Sequence, residues 1–210
     1  PMELENLGQK EAENNIAIVH IDGNKMGIRF NKCRNLAERS QLSQKIKEKT
    51  KAAFASLLDS ICEEYAQYKD DLKLEKGNTS YLPIRPLILG GDDVTFVCNG
   101  KMALVYAKRF IETMRKDDYV EGINCCAGIA ILPTSYPFFC GYELAEQACD
   151  EAKKKSRKQE SSWLDFVILH GEQAPTLEQI RRQEYYGALG NLHFGPYRID
   201  DAGSHVHVQK

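Results

Sequence analysis

Residues 84–98 of the chain are IRPLILGGDDVTFVC, in which two apolar runs flank a short corner of glycine and aspartate. Apolar and β-branched residues dominate both runs, and the corner at 90–93 has the composition of a tight turn. The stretch therefore predicts a β-hairpin with two antiparallel strands. Pro86 has no backbone N–H, which places it near the start or the edge of its strand.

Outside the hairpin, short apolar strands alternate with amphipathic helices. Residues 16–21 predict a buried strand, and apolar residues at three- and four-residue steps predict helix over 33–68, with Ser40 and Ser43 as candidate interruptions. The remaining predicted elements are a helix at 101–115, a strand at 123–132, a helix at 142–157, a strand at 163–169 and a short helix at 177–186. The order β-α-β-β-α-β-α-β predicts an α+β, ferredoxin-like fold, with an antiparallel sheet and helices packed mainly on one face.

Length and composition predict one globular domain with appendages. The 210 residues include 28 Lys and Arg against 30 Asp and Glu, which gives a net charge of −2 and no global attraction to nucleic acid. We expect a flexible N-terminus at 1–14, a central domain at 15–170 and a C-terminal extension, or the start of a further region, at 171–210. No apolar run is long enough to predict a membrane span. Seven scattered cysteines without a CxxC motif predict reduced thiols, no zinc site and a cytoplasmic location.

Three aspartates stand where predicted strands meet. Asp22 ends the first strand, and Asp92 and Asp93 occupy the hairpin corner. In a ferredoxin-like sheet these strands are central neighbours, so the carboxylates can lie side by side at one edge. Clustered carboxylates repel one another and favour Mg²⁺ or Mn²⁺, and two such ions can activate an attacking hydroxyl and stabilise a leaving pyrophosphate. The alternative is that the corner is only a turn, and the matching Asp-Gly after the first strand favours the site.

The glycines around these aspartates have a possible role of their own. Gly90 and Gly91 permit a positive φ and let a ligand approach the backbone closely. Gly23 and Gly27 offer the same freedom in the loop after the first strand. The backbone N–H groups of residues 25–27 could therefore hold a triphosphate.

The run KKKSRK at 153–158 ends a predicted helix and leaves two interpretations open. It is either a solvated helix end, where cations complement the helix dipole, or a clamp for a triphosphate. Arg29, seven residues after Asp22, is a phosphate-binding candidate with the same two interpretations.

Three segments together resemble the nucleotidyl-cyclase palm superfamily: IDGNKMG at 21–27, Gly-Gly-Asp-Asp at 90–93 and the predicted helix at 143–157. Over about residues 15–170 the chain most resembles the second palm domain of the large, polymerase-like subunit of type III CRISPR effectors. Minimal CRISPR polymerases and GGDEF diguanylate cyclases are similar.

The resemblance implies a site with two metal ions. Asp22, Asp92 and Asp93 would be the catalytic residues and would bind Mg²⁺ or Mn²⁺, with Gly23 as part of the metal site. Lys153 lines up with the helix lysine of GGDEF proteins and would contact phosphates. The residues expected to bind the nucleotide are Gly23, Asn24, Lys25, Met26, Gly27, Arg29, Gly90, Gly91 and Lys153.

The resemblance also implies an activity. CRISPR-type palms condense ATP into cyclic oligoadenylate, a second messenger in prokaryotic anti-phage defence, and Asp92-Asp93 in place of acid-Glu-Phe favours ATP over GTP. The chain has one palm, so we expect a head-to-head homodimer or pairing with another palm, without direct nucleic-acid binding. Asn24 stands where CRISPR-type palms often carry a second aspartate. It motivates the alternative of a catalytically degenerate nucleotide sensor or a structural palm subunit.

Overall fold

The computed structural model describes residues 3–7, 15–169, 176–187 and 190–199 of the chain. In chain order the elements are a 3-10 helix Leu4–Leu7, β1 Asn15–Gly23, α1 Met26–Asn31, α2 Leu36–Glu63, α3 Tyr65–Tyr68, β2 Glu75–Lys76, β3 Thr79–Ser80, β4 Ile84–Gly90, β5 Asp93–Asn99, α4 Ala103–Met114, β6 Cys125–Pro133, α5 Phe138–Lys158, β7 Ser162–Ile168, α6 Leu177–Ile180, a π-helical turn Arg181–Tyr185, β8 Tyr186–Gly187, β9 Gly190–Asn191 and β10 Tyr197–Ile199.

Six strands form one sheet in the order β10-β7-β6-β1-β5-β4. Every neighbouring pair is antiparallel except β6 and β7, which are parallel and are joined by α5. The four strands β6-β1-β5-β4, connected through α2 and α4, have the ferredoxin-like order, which confirms the predicted fold class. The predicted hairpin is β4 and β5.

The central strand β1 is apolar on both faces because helices cover both sides of the sheet. Ala17, Val19 and Ile21 belong to the core formed with α2 and α4, while Ile16 and Ile18 belong to the core formed with α5. Two long helices thus share one face, as predicted, and α5 packs on the other. A strand covered on both faces has a continuous apolar run, which is the pattern of residues 16–21.

Helix α2 is continuous, so the predicted interruption at Ser40 and Ser43 is wrong. Both serines are exposed, and their cost in helix propensity is modest, so the helix, whose buried residues begin at Ile46, continues through them. The interruption between helices lies instead before Leu36, where α2 begins. Asn35 caps α2 by accepting a hydrogen bond from the N–H of Glu38 at 2.9 Å.

Parts of both predicted appendages pack on the domain. In the N-terminal segment, for which the sequence predicts flexibility, Leu7 is fully buried. In the C-terminal segment β10 pairs with β7, and Asp165 of β7, which is fully buried, forms an ion pair with Arg181 and lies 3.2 Å from Nε2 of His193. Residues 1–2, 8–14, 170–175, 188–189 and 200–210, which include His205 and His207, lie outside the described residues. No described helix has the length and apolarity needed to cross a bilayer.

Candidate functional site

Strand register brings the three predicted aspartates to one edge of the sheet. Asp22 on β1 and Asp93 on β5 are directly opposed, so their side chains share a face, and it is the face covered by α5. The N–H of Gly23 donates to the carbonyl oxygen of Asp92 at 3.1 Å, which fixes the hairpin corner against the end of β1. The carboxylates are therefore neighbours through backbone pairing.

Burial and mutual repulsion make negative charge costly at this edge. Burial raises the pKa of Asp92; a backbone hydrogen bond partly offsets this, and the charges of Asp22 and Asp93 raise the pKa further. Burial also raises the pKa of Asp93, against the opposing effect of His20 and with a further contribution from Asp22. A cation at this edge would relieve the repulsion.

The donor atoms at the edge are of the type that a hard divalent cation prefers. Oδ1 of Asp93 is buried and has no hydrogen-bond partner, and carboxylate oxygens are the ligands that Mg²⁺ and Mn²⁺ prefer. Within the described ranges, no three His, Cys, Asp or Glu side chains converge on a point that could hold a metal ion. The three carboxylates thus share an edge without sharing a common centre.

Lys153 is the cation that α5 places at the acidic edge. Its Nζ lies 3.1 Å from Oδ2 of Asp22 and 4.0 Å from Oδ1 of Asp150. Burial opposes charge on Lys153, but the neighbouring groups Cys149, Asp22 and Asp150 outweigh this effect and raise its pKa. The ammonium group is therefore a charged partner for Asp22.

The other residues of the basic run either form contacts within the helix and the fold or are exposed to solvent. Lys154 pairs with Glu151 at 2.6 Å, and the Ser156 hydroxyl is buried. Lys155, Arg157 and Lys158 are exposed. Within this run Lys153 is the residue placed at the acidic edge, where the clamp interpretation needs a cation, and the solvated-helix interpretation fits the exposed residues that follow it.

The loop after β1 has free backbone donors. Lys25 has a left-handed backbone (φ 61°) and starts the short helix α1. Among the described residues, the N–H groups of Lys25, Met26 and Gly27 have no hydrogen-bond partner, whereas the N–H of Asn24 donates to the carbonyl of Asn124 at 2.8 Å. Three adjacent free N–H groups are consistent with the predicted phosphate contact.

The side chains of this loop are mostly engaged elsewhere. Nδ2 of Asn24 donates to Oγ of Ser156 at 2.8 Å, which ties the loop to α5. Nζ of Lys25 pairs with Glu160 at 2.6 Å, and Met26 is buried in the core. The contribution of these residues to a nucleotide site would therefore come from their backbone.

The freedom to adopt a positive φ is used at one of the four site glycines. Gly91 has φ 73°, while Gly23, Gly27 and Gly90 do not have a left-handed backbone. Gly23 is needed for a close approach, because a Cβ there would lie 2.8 Å from Cβ of Asp92. A Cβ on Gly27 would meet nothing within 4 Å.

Arg29 is not brought to the acidic edge. Its Nη1 donates to the carbonyl of Glu121 at 3.1 Å and its Nη2 to the carbonyl of Gly122 at 2.6 Å. These bonds hold α1 against the loop before β6. A phosphate contact would have to replace two charge-assisted hydrogen bonds, and in this structure Arg29 has a structural role.

Two residues near the site escaped the sequence analysis. Thr50 of α2 donates its hydroxyl to the carbonyl of Gly91, a contact across 41 positions that leaves no local signal. His20 lies two residues before Asp22, hence on the same face of β1, with Nδ1 3.5 Å from Oδ1 of Asp93. A polar residue inside an apolar central strand is the signal that could have revealed it.

Comparison with known proteins places the chain in a family. Residues 15–162 match the model of the second palm domain of Cas10/Cmr2. The chain belongs to this Cas10/Cmr2 palm family. The resemblance inferred from the motifs is thereby confirmed. No curated protein sequence matches the chain significantly.

Solved structures share the fold at low sequence identity. A chain of the apo Csm1–Csm4 cassette matches with 14% identity and a TM-score of 0.56, over 80% of this chain and 22% of that chain. A chain of the same cassette in complex with one ATP matches with 14% identity and a TM-score of 0.54, over 84% of this chain and 23% of that chain. Csm1 of T. onnurineus matches with 16% identity and a TM-score of 0.52, over 73% of this chain and 22% of that chain. The chain thus spans about a fifth of the length of the chains that it matches.

Proposed function

We propose that the chain is the palm of a metal-dependent nucleotidyltransferase that condenses ATP into a cyclic oligoadenylate. The observation that carries the proposal is the register of Asp22 against Asp93, with Asp92 fixed beside them and Lys153 paired to Asp22. Family membership supports it, and structures of related cassettes contain one ATP or cA4.

Each residue has a distinct part in this proposal. Asp22, Asp92, Asp93 and the backbone at Gly23 would hold Mg²⁺ or Mn²⁺. When bound, these ions would activate the attacking ribose hydroxyl and neutralise the leaving pyrophosphate. Lys153 would contact phosphate oxygens, and the free N–H groups of residues 25–27 would hold the triphosphate. Positioning and electrostatics would supply most of the catalysis.

A second nucleotide requires a second platform. The edge that carries the acidic residues is partly open, since the side chains of Asp22 and Asp93 are 30% and 44% exposed. We therefore propose that this edge faces a second palm, from another copy or another chain. Sedimentation velocity over a range of protein concentrations, with and without ATP, measures self-association directly.

Asn24 favours one competing function, a sensor that binds nucleotide without consuming it. Its side-chain amide is bonded to Ser156, and no charged group replaces the aspartate that related palms often have there. Fewer negative charges reduce the affinity for cations. A sensor of this kind would still use the free backbone donors of the loop.

The product assay separates the two functions. The chain is incubated with Mg²⁺ and an equimolar mixture of the four nucleoside triphosphates, and products are identified by mass spectrometry. We expect a cyclic oligoadenylate. Calorimetric binding of ATP to folded protein without any cyclic product, at all protein concentrations tested, would overturn the catalytic proposal and support the sensor.

Lys153→Met is expected to weaken ATP binding much more than Arg29→Met does. A hydrogen bond to a charged group is worth about 1.5–3 kcal/mol, so the first variant should lose about 10- to 100-fold in affinity. Arg29 is held by backbone carbonyls away from the edge, and we expect a change of about threefold or less, the scale of a surface ionic contact. Calorimetry with a non-hydrolysable ATP analogue measures both; equal losses would contradict this assignment of roles.

A further inference from the structure

His20 is a buried polar residue on the central and largely apolar strand β1. Its neighbours along β1, from Ile16 to Ile21, are buried hydrophobic residues, and its own side chain is 9% exposed. Central strands that are covered on both faces are normally apolar throughout. The imidazole therefore needs polar partners inside the fold.

Two oxygens face the same nitrogen of His20. Nδ1 lies 3.3 Å from the hydroxyl oxygen of Thr95 and 3.5 Å from Oδ1 of Asp93. That carboxylate oxygen is buried and makes no hydrogen bond, although the Asp93 side chain as a whole is 44% exposed. The exposed part of Asp93 is thus the remainder of its side chain, while Oδ1 is turned into the protein beside His20.

Packing leaves the imidazole little freedom to move. The ring of Tyr142 on α5 meets it edge-on, with centroids 5.7 Å apart and planes at 71°. On the other neighbouring strand the position opposite His20 is Gly128, which has no side chain and lets α5 approach closely. His20 is therefore enclosed by β5 and α5 and presents Nδ1 to Asp93 in one fixed direction.

We propose that His20 is a positioning residue that orients the carboxylate of Asp93 for cation binding. The inference rests on the proposed function, because it assigns Asp93 to the cation. An imidazole with its proton on Nδ1 can share that N–H between Thr95 and Asp93. A carboxylate oriented before the cation arrives loses less conformational freedom on binding, which is how groups behind metal ligands raise affinity.

The test uses two substitutions that place the amide donor differently. His20→Asn puts its N–H₂ near the position of Nδ1, whereas His20→Gln puts it near Nε2. Mn²⁺ binding to the full chain is measured by electron paramagnetic resonance, without nucleotide. We expect His20→Gln to lose about tenfold or more in affinity, the usual scale for residues behind metal ligands, and His20→Asn to stay within about threefold of the wild type.

Thr95→Val is the matched control, since it removes the other partner of Nδ1 and leaves Asp93 intact. We expect it to bind Mn²⁺ like the wild type. Thermal unfolding is measured for every variant, and His20→Ala replaces His20→Gln if the latter does not fold. If His20 only stabilises the fold, His20→Gln, His20→Asn and Thr95→Val all lower the melting temperature and none of them changes the Mn²⁺ affinity. That result overturns the inference.

The same measurement separates this inference from the proposed function. Equal Mn²⁺ binding by the wild type and His20→Gln rejects the positioning role and leaves the proposed function intact. A wild-type chain that binds no Mn²⁺ at millimolar concentration rejects both. A loss of affinity in His20→Gln together with a failed product assay supports the positioning of Asp93 in a site that holds a cation without catalysing condensation.

Discussion

The double substitution Asp92→Asn/Asp93→Asn is expected to abolish product formation and to raise the melting temperature when no divalent cation is present. Metal ions contribute several kcal/mol of transition-state stabilisation, so losing their ligands should lower the rate by about a thousandfold or more. The stability gain has a separate origin in the cost of keeping two partly buried carboxylates charged.

The sign of the stability effect follows from the pKa values. Burial, with the charge of Asp22 adding to it, raises the pKa of both Asp92 and Asp93 in the folded protein. The folded state then holds these protons more tightly than the unfolded chain, in which aspartate has a pKa of about 3.9. The free energy of unfolding therefore falls as the pH rises from that value through the raised pKa values, and the full cost is present at neutral pH.

Asparagine carries no charge, so the double variant avoids this cost. We expect its advantage in melting temperature to be greatest at neutral pH and to shrink as the pH is lowered towards the raised pKa values. Added Mg²⁺ should stabilise the wild type and leave the double variant unchanged, because a ligand that binds only the folded state raises its stability.

Asp59→Asn/Asp71→Asn serves as the control, because both aspartates are exposed and lie in other parts of the chain. It should retain activity and show no Mg²⁺-dependent difference from the wild type. A cation-free melting temperature of the Asp92→Asn/Asp93→Asn variant below that of the wild type would contradict the account of charge repulsion at this edge.

Gly128→Ala is expected to destabilise the fold strongly. A Cβ at Gly128 would lie 1.9 Å from the carbonyl oxygen of Ala145 and 2.3 Å from the N of Cys149, both in the backbone of α5. Backbone atoms cannot rotate away, so α5 must move off the sheet. Overpacking of a core typically costs about 1–3 kcal/mol. We expect the upper end, about 3 kcal/mol, which corresponds to a fall of roughly 6–12 °C in melting temperature.

The displacement should also reach the site. Helix α5 carries Lys153, which pairs with Asp22, and Tyr142, which packs against His20. Gly27→Ala is the matched control for stability, since its new Cβ meets no atom within 4 Å and alanine favours helix over glycine. Thermal and denaturant unfolding of both variants gives the measurement. A Gly128→Ala protein that melts like Gly27→Ala would show that α5 does not lie as close to β6 as described.

Local patterns in the sequence were sufficient for most of the fold. Apolar runs bounded by turn residues located the hairpin β4–β5, and the order of strands and helices predicted the ferredoxin-like sheet. One error arose where a weak local signal was read as a break: α2 runs through Ser40 and Ser43, because serine lowers helix propensity only modestly. The strand β10 was missed because three residues leave too short a pattern.

For the candidate site, sequence alone selected the residues that we propose carry the chemistry: the aspartates at the ends of strands, the glycine corner and a lysine on the following helix. These choices follow from local composition and strand ends. Only the tertiary structure decided that Arg29 serves the loop before β6, that Asn24 is tied to Ser156 and that His20 stands behind Asp93. Each of these contacts joins residues more than 70 positions apart, and such pairs are brought together by strand register and helix packing, which no local pattern encodes.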